Sequence, residues 1–581
     1  MVSRFKLYTT TIGVAVVALL IIFFWIEFKS QEKTKETVYL SDPEVLIKGE
    51  KLFEDNCSSC HNFSHNSIGP GLQNTTNRLP KKWLKSFIRN APEMISKKDA
   101  RSMKLYEQFK QVMPPFTNLT SKEVDALLAY MHQNQSNEEG TQETNDFYLK
   151  DPVPARIPYT GGKLYLTTHS IAPASGTKAP MARINNMRTL DGMQERMFVI
   201  DLQGILYEIR DKQWTVAMDI KKLRSDFVSS PGLGTGFGSF AFHPDFDENR
   251  LLYTTHAEKY KNTPGDLGFE DTIEVGLQWI LTEWKVEDPL ELPFKVKGRE
   301  VLRIDLLTPF HGVQEISFNP YALQSDEDYG LLYICVGDGG AGEKGYDYLC
   351  NSPNYASSSV LRIDPLGRNS KNGEYGIPPS NPFVNDTSSY VLKEIYCRGF
   401  RNPNRISWTP NGKMLISDIG QSNIEEINIG ESGADYGWPV REGTFMIDTK
   451  GDVSKVSALP DGELPSKFTY PVLQYDHDEG RAISGGFVYN GSAIPELKNK
   501  YVFADITNGR FFVTENTQMN IGGMASIKEL EIWIDNEKTT FQEVNGPAKP
   551  DPRLGIGLKG ELYVFTKADG KLYKVVDYKP D

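Results

Sequence analysis

The 581 residues include only five cysteines and eight histidines. So few thiols in so long a chain exclude a disulfide-stapled scaffold. Positive charge is scarce as well: 64 Lys and Arg against 76 Asp and Glu leave a net charge of −12. That balance excludes a phosphate-gripping surface and makes nucleic acid a poor partner. Long apolar runs are missing, with one exception at the amino terminus. Glycine (49) and tyrosine (27) are plentiful, which suits a turn-rich β protein better than a helical one. The length exceeds what one hydrophobic core supports, so two or more domains are expected.

The exception begins after Arg4 and Lys6. Leu7 to Ile26 carries no charge and is strongly apolar from Ile12 onward, long enough to span a bilayer as a helix. No small-x-small cleavage site follows in Trp25-Ile26-Glu27-Phe28-Lys29. Residues 1–30 are therefore expected to be an uncleaved anchor in a bacterial inner membrane. The short basic end would lie inside and the remainder in the periplasm. Lysines 29, 33 and 35 weaken the charge asymmetry. A cleaved signal peptide is the alternative, and it delivers the body of the protein to the same compartment.

Cys57-Ser58-Ser59-Cys60-His61 has the spacing of covalent haem attachment. Two thiols add to the haem vinyl groups, and the adjacent imidazole becomes an axial iron ligand. A zinc site would need another Cys/His pair nearby, and none precedes residue 134. Val45 to Asn56 places Leu46, Gly49, Leu52 and Phe53 at helical spacing, leading into this motif. Further on, Thr120 with Glu123 forms a capping box that opens a helix from Glu123 to Met131. The order CxxCH, Gly69-Pro70-Gly71-Leu72, Met113-Pro114-Pro115-Phe116 and terminal helix resembles the class I cytochromes c over residues 43–133. The resemblance implies a proline carbonyl that orients His61, and Met113 as sixth iron ligand. His65 and His132 are alternatives, and Met113 could instead be a packing methionine like Met94, Met103 or Met131. Residues 134–151 are polar, acidic and nearly free of large aliphatics, which reads as a flexible tether.

From residue 152 to 581 short apolar runs recur: Met197–Ile200, Leu251–Thr254, Leu331–Ile334, Met414–Ser417, Tyr501–Ala504 and Glu561–Val564. Each is flanked by turn residues, as in Phe242-His243-Pro244-Asp245 or Trp408-Thr409-Pro410-Asn411-Gly412, and Asp569-Gly570 suits a tight hairpin. Six repeats of one kind predict an all-β six-bladed propeller. The fold expected for the whole chain is thus a membrane helix, an all-α cytochrome and a β-propeller.

The propeller also carries motifs that look like those of the soluble glucose and sorbosone dehydrogenases that use PQQ. They are Gly236–Phe246 (GFGSFAFHPDF), Val336-Gly337-Asp338-Gly339-Gly340, Arg401-Asn402-Pro403, Asp435–Pro439 (DYGWP) and Gly485–Tyr489 (GGFVY). The resemblance implies His311 as catalytic base, Asp338 as its hydrogen-bonded partner, and Arg401 with Asn402 at the quinone oxygens. It also implies Gly420 and Gln421 as carbonyl ligands of Ca²⁺, with Glu425 and Glu426 close enough to support the ion. Arg510 would pair with a PQQ carboxylate, and Glu343 would touch substrate hydroxyls. His243 reads as a turn-fixing residue, and His169, His256 and His477 as less suited bases. Three positions depart from the family pattern. Asn490 replaces a common Lys or Arg, for which Arg481 could substitute; Glu315 stands where a basic residue is common, and Gly234 where a polar quinone contact is sometimes found. Of the remaining thiols at most one pair can bridge, with Cys350–Cys397 expected and Cys335 left over.

The expected function is oxidation of an aldose or related polyol by PQQ, with electrons passed to the chain's own haem c and then to a respiratory acceptor. The alternative is a cofactor-free propeller that binds carbohydrate or protein beside an independent electron carrier.

Overall fold

The computed structural model describes residues 39–581 apart from 58–60, 62, 64–68, 110–111, 114, 118, 135–147, 191–195, 232–233, 461, 464–466 and 547. The anchor expected of residues 1–30, the thiol Cys60, His65 and most of the tether lie outside the described residues. Among the described residues no helix is long and apolar enough to cross a membrane.

The longer helices of the first domain are α1 (Pro43–Asn56), α2 (Lys81–Ser96), α3 (Ala100–Phe109) and α4 (Ser121–Gln133). Asp42 caps α1 by accepting the Glu44 N–H at 2.9 Å, satisfying a donor that the first turn leaves open. The predicted capping box opens α4: Thr120 Oγ1 accepts the Glu123 N–H and the Glu123 carboxylate accepts the Thr120 N–H. Helices α1 and α4 cross closely because position 49 is glycine. A Cβ there would stand 2.2 Å from the Ala126 carbonyl oxygen. The core between them is Phe53, Leu84, Leu119, Val124, Leu127, Leu128 and Met131.

The second domain is a ring of six sheets, blades 1 to 6, antiparallel except where Lys163–Leu166 pairs in parallel with Glu531–Ile534 in blade 6. Their inner strands are Ile184–Leu190, Phe237–Phe242, Glu315–Phe318, Pro403–Trp408, Ile483–Val488 and Pro552–Ile556. Each inner strand neighbours the next around the ring, and the last neighbours the first. The six apolar runs seen in the sequence all fall in the second strand of a blade, from Arg196–Asp201 in blade 1 to Leu562–Thr566 in blade 6. The reason is burial: a second strand is packed between neighbouring blades on both faces, so it reads as a continuous apolar run. The strand Lys163–Ile171 closes the ring from the other end of the domain, pairing antiparallel with Lys571–Lys579 in blade 6. Tyr148 and Leu149, at the end of the predicted tether, already pair with Ser457 and Val456, in a separate three-stranded sheet inserted before the last strand of blade 4.

One expectation is corrected here, and one departure from the family pattern is explained. Cys350 and Cys397 do not bridge; Cys335, Cys350 and Cys397 are all buried free thiols. Cys350 packs with Leu307 and Trp438, whereas Cys397 packs with Tyr333 and Phe400 in a different cluster. Glu315 is no defect in a binding site. It is fully buried on the propeller axis, where Arg405 Nη1 donates to it at 2.9 Å, Asn186 Nδ2 at 3.3 Å, and Arg188 forms a close ion pair.

Candidate functional site

In the first domain, the His61 imidazole donates from Nδ1 to the Pro70 carbonyl at 2.8 Å. That bond selects the tautomer whose Nε2 lone pair is free for iron. Gly69 lies flat against the ring: a Cβ there would stand 2.2 Å from His61 Cε1. Burial lowers the imidazole pKa, which favours the neutral form a metal requires. Cys57 packs beside the domain's apolar cluster and Met113 is half-buried. These residues fit a covalent haem, with His61 held as a ligand. His132 is otherwise engaged, bonded to Thr76 Oγ1 at 2.9 Å and stacked on Tyr39. Replacing Met113 by Ala is expected to abolish the weak sulfur-to-iron absorption band of the oxidised protein and to lower its reduction potential. A spectrum with that band intact would assign the sixth ligand elsewhere.

In the propeller, residues that enter an inner strand and residues that leave a second strand meet at one end of the ring, its mouth. His311 precedes the inner strand of blade 3, and Asp338 follows the second. The imidazole Nδ1 lies 2.7 Å from Asp338 Oδ1. Asp338 Oδ1 also accepts the Gly340 N–H at 2.8 Å, while Oδ2 accepts Trp438 Nε1–H at 3.2 Å. Burial alone would raise the Asp338 pKa, but His311, Arg401 and the Gly340 N–H outweigh it and hold the carboxyl below its ordinary value. Its stabilising contribution is thus present above the unfolded value of about 4 and is lost as pH falls through the lowered folded pKa. His311 adopts a left-handed backbone conformation, φ +50°, a cost of about 1–3 kcal/mol that the surrounding structure must hold. With Nδ1 bound to Asp338, Nε2 is the nitrogen left to take a proton from a ligand.

Arg401 and Asn402 enter the inner strand of blade 4. Both backbone N–H groups donate to Asp418, at 2.9 and 2.6 Å. The Arg401 side chain is held by Gln421 Oε1 at 2.7 Å, by the Gly420 carbonyl at 2.8 Å and, more loosely, by Glu343 at 3.4 Å. Gln421 Nε2 donates to the same Glu343 oxygen at 2.7 Å, and the guanidinium carbon stands 5.9 Å from the Trp438 ring. The Asn402 side-chain oxygen is buried without a hydrogen-bond partner, an unmet acceptor next to Arg401 in the chain. His311, Asp338, Arg401, Asn402, Gln421 and Glu343 are therefore one connected site.

Other predicted residues go elsewhere. Arg510 is not offered to a ligand, because its guanidinium is clamped between Glu479 and Glu529. Glu425 binds His477 Nε2 and the Ile483 N–H, and Glu426 binds Asn428. With Arg401 on the Gly420 carbonyl, these groups as arranged do not fit Ca²⁺: the cation would have to displace a guanidinium. Asn490 follows the inner strand of blade 5, so it lies at the far end of the ring from His311. Arg481 precedes that strand and lies at the mouth. At position 234, the Gln314 amide occupies the space a side chain would take, its nitrogen 1.7 Å from where a Cβ would be. His243 fixes its turn as expected, accepting the Asp245 N–H at 3.0 Å, and His256 is fully buried against Glu258.

Sequence reasoning missed a second group of cations at the mouth. Lys567, Arg553 and Arg183 are all buried with Asp551 as a shared carboxylate. Burial, with the neighbouring Arg553, lowers the Lys567 pKa well below its usual value. Trp438 was visible only as part of a motif, with no role attached.

Comparison with known proteins agrees with this division. Residues 306–574 match the family described as Glucose / Sorbosone dehydrogenase, and residues 46–135 match Cytochrome c. The chain is similar to the HIPL1 protein of Arabidopsis thaliana, 26% identical over 59% of this chain and 52% of that one. It is 30% identical to Quinoprotein glucose dehydrogenase B of Acinetobacter calcoaceticus over 35% of this chain and 40% of that one. It is 25% identical to the human Hedgehog-interacting protein, over 70% of this chain and 52% of that one. The chain spans about half the length, or less, of these curated relatives. Two family models thus match it in succession, Cytochrome c and then Glucose / Sorbosone dehydrogenase.

Proposed function

We propose that the chain is a quinoprotein dehydrogenase that oxidises an aldose or related polyol and passes the electrons to its own haem. The observation that carries this reading is the His311–Asp338 pair set 2.7 Å apart beside Arg401. PQQ, when bound, supplies a two-electron acceptor for the hydride of an alcohol carbon. The chain's own residues supply the rest. His311 Nε2 takes the hydroxyl proton, and Asp338 stabilises the imidazolium that results. Arg401 offers fixed positive charge where negative charge develops. Asn402 Oδ1 is an open acceptor for a cofactor or substrate donor. Glu343 and Gln421 present a linked carboxylate and amide suited to sugar hydroxyls. Arg481, Arg553 and Arg183 make the mouth attractive to a polyanionic cofactor. The electron acceptor beyond the haem would be a respiratory one-electron carrier, and the cell compartment the periplasm.

The test is a titration of the purified protein with PQQ, with and without Ca²⁺. A ligand that binds only the folded state at about 100 times its dissociation constant stabilises it by about 2.7 kcal/mol. The expected results are a raised propeller melting temperature and PQQ retained in native mass spectra. A shift that does not depend on Ca²⁺ is expected from the occupied Gly420 carbonyl.

The second reading is a binding propeller beside an electron carrier. The similarity to Hedgehog-interacting protein and the commitment of Arg510 to Glu479 and Glu529 favour it. No thermal shift and no retained PQQ would select it.

A further inference from the structure

Phe109 ends α3, four residues before Met113. It is 7% exposed and Val112 9%, yet neither belongs to the haem domain's own apolar cluster. A cation of the other domain stands against Phe109: the Arg481 guanidinium carbon is 5.9 Å from the ring centroid. Arg481 enters the inner strand of blade 5 and is anchored by its N–H on Asp505 Oδ2 at 2.7 Å. It shares the mouth with Arg401, since both lower the pKa of His477 behind the larger effect of burial. Lys178, on the segment that enters blade 1, adds to the lowering of the Glu93 carboxyl in α2, which Lys97 dominates. Both propeller residues sit on segments that enter an inner strand, so the Arg481–Phe109 contact is at the mouth end.

We infer that the haem domain docks over the mouth of the propeller through Phe109 and Arg481, and that this contact couples the haem to the dehydrogenase site. The inference rests on the proposed function for its electron transfer, but not for the docking itself. An aromatic face against a desolvated guanidinium gives a directional contact. Phe109 lies four residues before Met113, the expected sixth ligand, so the contact is made close in the chain to that residue. The balance is fixed by the chemistry. Oxidising an alcohol carbon to a carbonyl releases two electrons and two protons. One haem iron takes one electron, so each substrate needs two crossings, with reoxidation by a one-electron acceptor between them. Two acceptor molecules are reduced per substrate.

The experiment uses the full chain with haem attached and compares Phe109→Lys with Phe109→Leu. Lysine places like charge against Arg481; leucine keeps an apolar contact. For Phe109→Lys, sugar-dependent haem reduction should fall on the order of tenfold, the scale of a lost desolvated cation–π contact. Oxidation of the sugar by a soluble dye that takes electrons directly from the propeller should be unchanged. The radius of gyration by small-angle scattering should rise. Phe109→Leu should match the parent in scattering. Unchanged scattering and haem reduction in Phe109→Lys would overturn the docking. If that variant loses the sulfur-to-iron band, Arg481→Glu is read by scattering alone, and a compact particle overturns the inference. Absent dye-linked oxidation in the parent would instead sink the enzyme reading, leaving the scattering result to decide the docking.

Discussion

Replacing His311 by Gln should lower sugar-dependent haem reduction by roughly 10²–10⁴-fold, the contribution of a positioned general base. Glutamine keeps a polar side chain of similar reach but cannot take a proton at neutral pH. PQQ binding, followed by thermal shift, should be nearly intact, because the cations at the mouth and Asn402 are untouched. Asp338→Asn should be milder, since it disturbs the orientation and basicity of His311 without deleting it. It should also flatten the acid side of the stability profile. The parent loses the Asp338 contribution as pH falls through its lowered pKa, and the variant has no such carboxylate to protonate. Chemically supplied electrons should still reach the haem of the His311 variant. Near-normal sugar turnover in His311→Gln would show the base to be elsewhere, and His169, His256 and His477 would be tested in its place.

A comparably large effect, on stability, is expected on the axis of the propeller. Glu315→Ala removes the carboxylate between Arg188 and Arg405 and leaves two guanidinium groups without their counter-charge. Arg405 is fully enclosed, and burial pulls its pKa down to about 10 even with Glu315 in place. Breaking a buried pair by deleting one partner typically costs about 3–5 kcal/mol. The propeller's denaturant midpoint, followed by tryptophan fluorescence, should fall accordingly while the haem domain's Soret transition stays put. Replacing Glu315, Arg188 and Arg405 together by apolar residues of similar volume should recover most of the loss. A drop below about 1 kcal/mol for Glu315→Ala would mean that water or a rearranged side chain compensates the arginines.

Much of the architecture was legible because its causes are local. The CxxCH spacing follows from the reach of two thiols and one imidazole around a porphyrin. Thr120 and Glu123 form their capping box within one turn of chain. The apolar runs near residues 197, 251, 331, 414, 501 and 562 were readable because a strand buried on both faces must be apolar throughout. The His311–Asp338 pair was legible only through resemblance, since its members are 27 residues apart in loops beside different strands.

Arginine roles were the least legible. Arg510 and Arg401 both follow glycine-rich or turn-forming stretches, and nothing local separates a ligand contact from a salt bridge. Arg510 is taken up by Glu479 and Glu529, residues 31 and 19 positions away. Glu315 looked like a departure from a binding pattern; its partner Arg405 is 90 residues distant. The unpaired thiols have the same cause, for Cys350 and Cys397 face different clusters of the folded propeller.

The sequence by itself determined the haem-attachment motif, the capping box of the last haem-domain helix and the six-fold repeat, and resemblance added the candidate base with its carboxylate. All of these rest on contacts between near neighbours, on a period of burial, or on motifs carried intact. Only the tertiary structure decided that Lys163–Ile171 closes the last blade and that Glu315 belongs to the axis. It also decided that Asn490 lies away from the mouth, and that Arg481 meets Phe109 there. Each joins residues far apart in the chain, and a charged side chain takes whichever counter-charge the completed ring brings within reach.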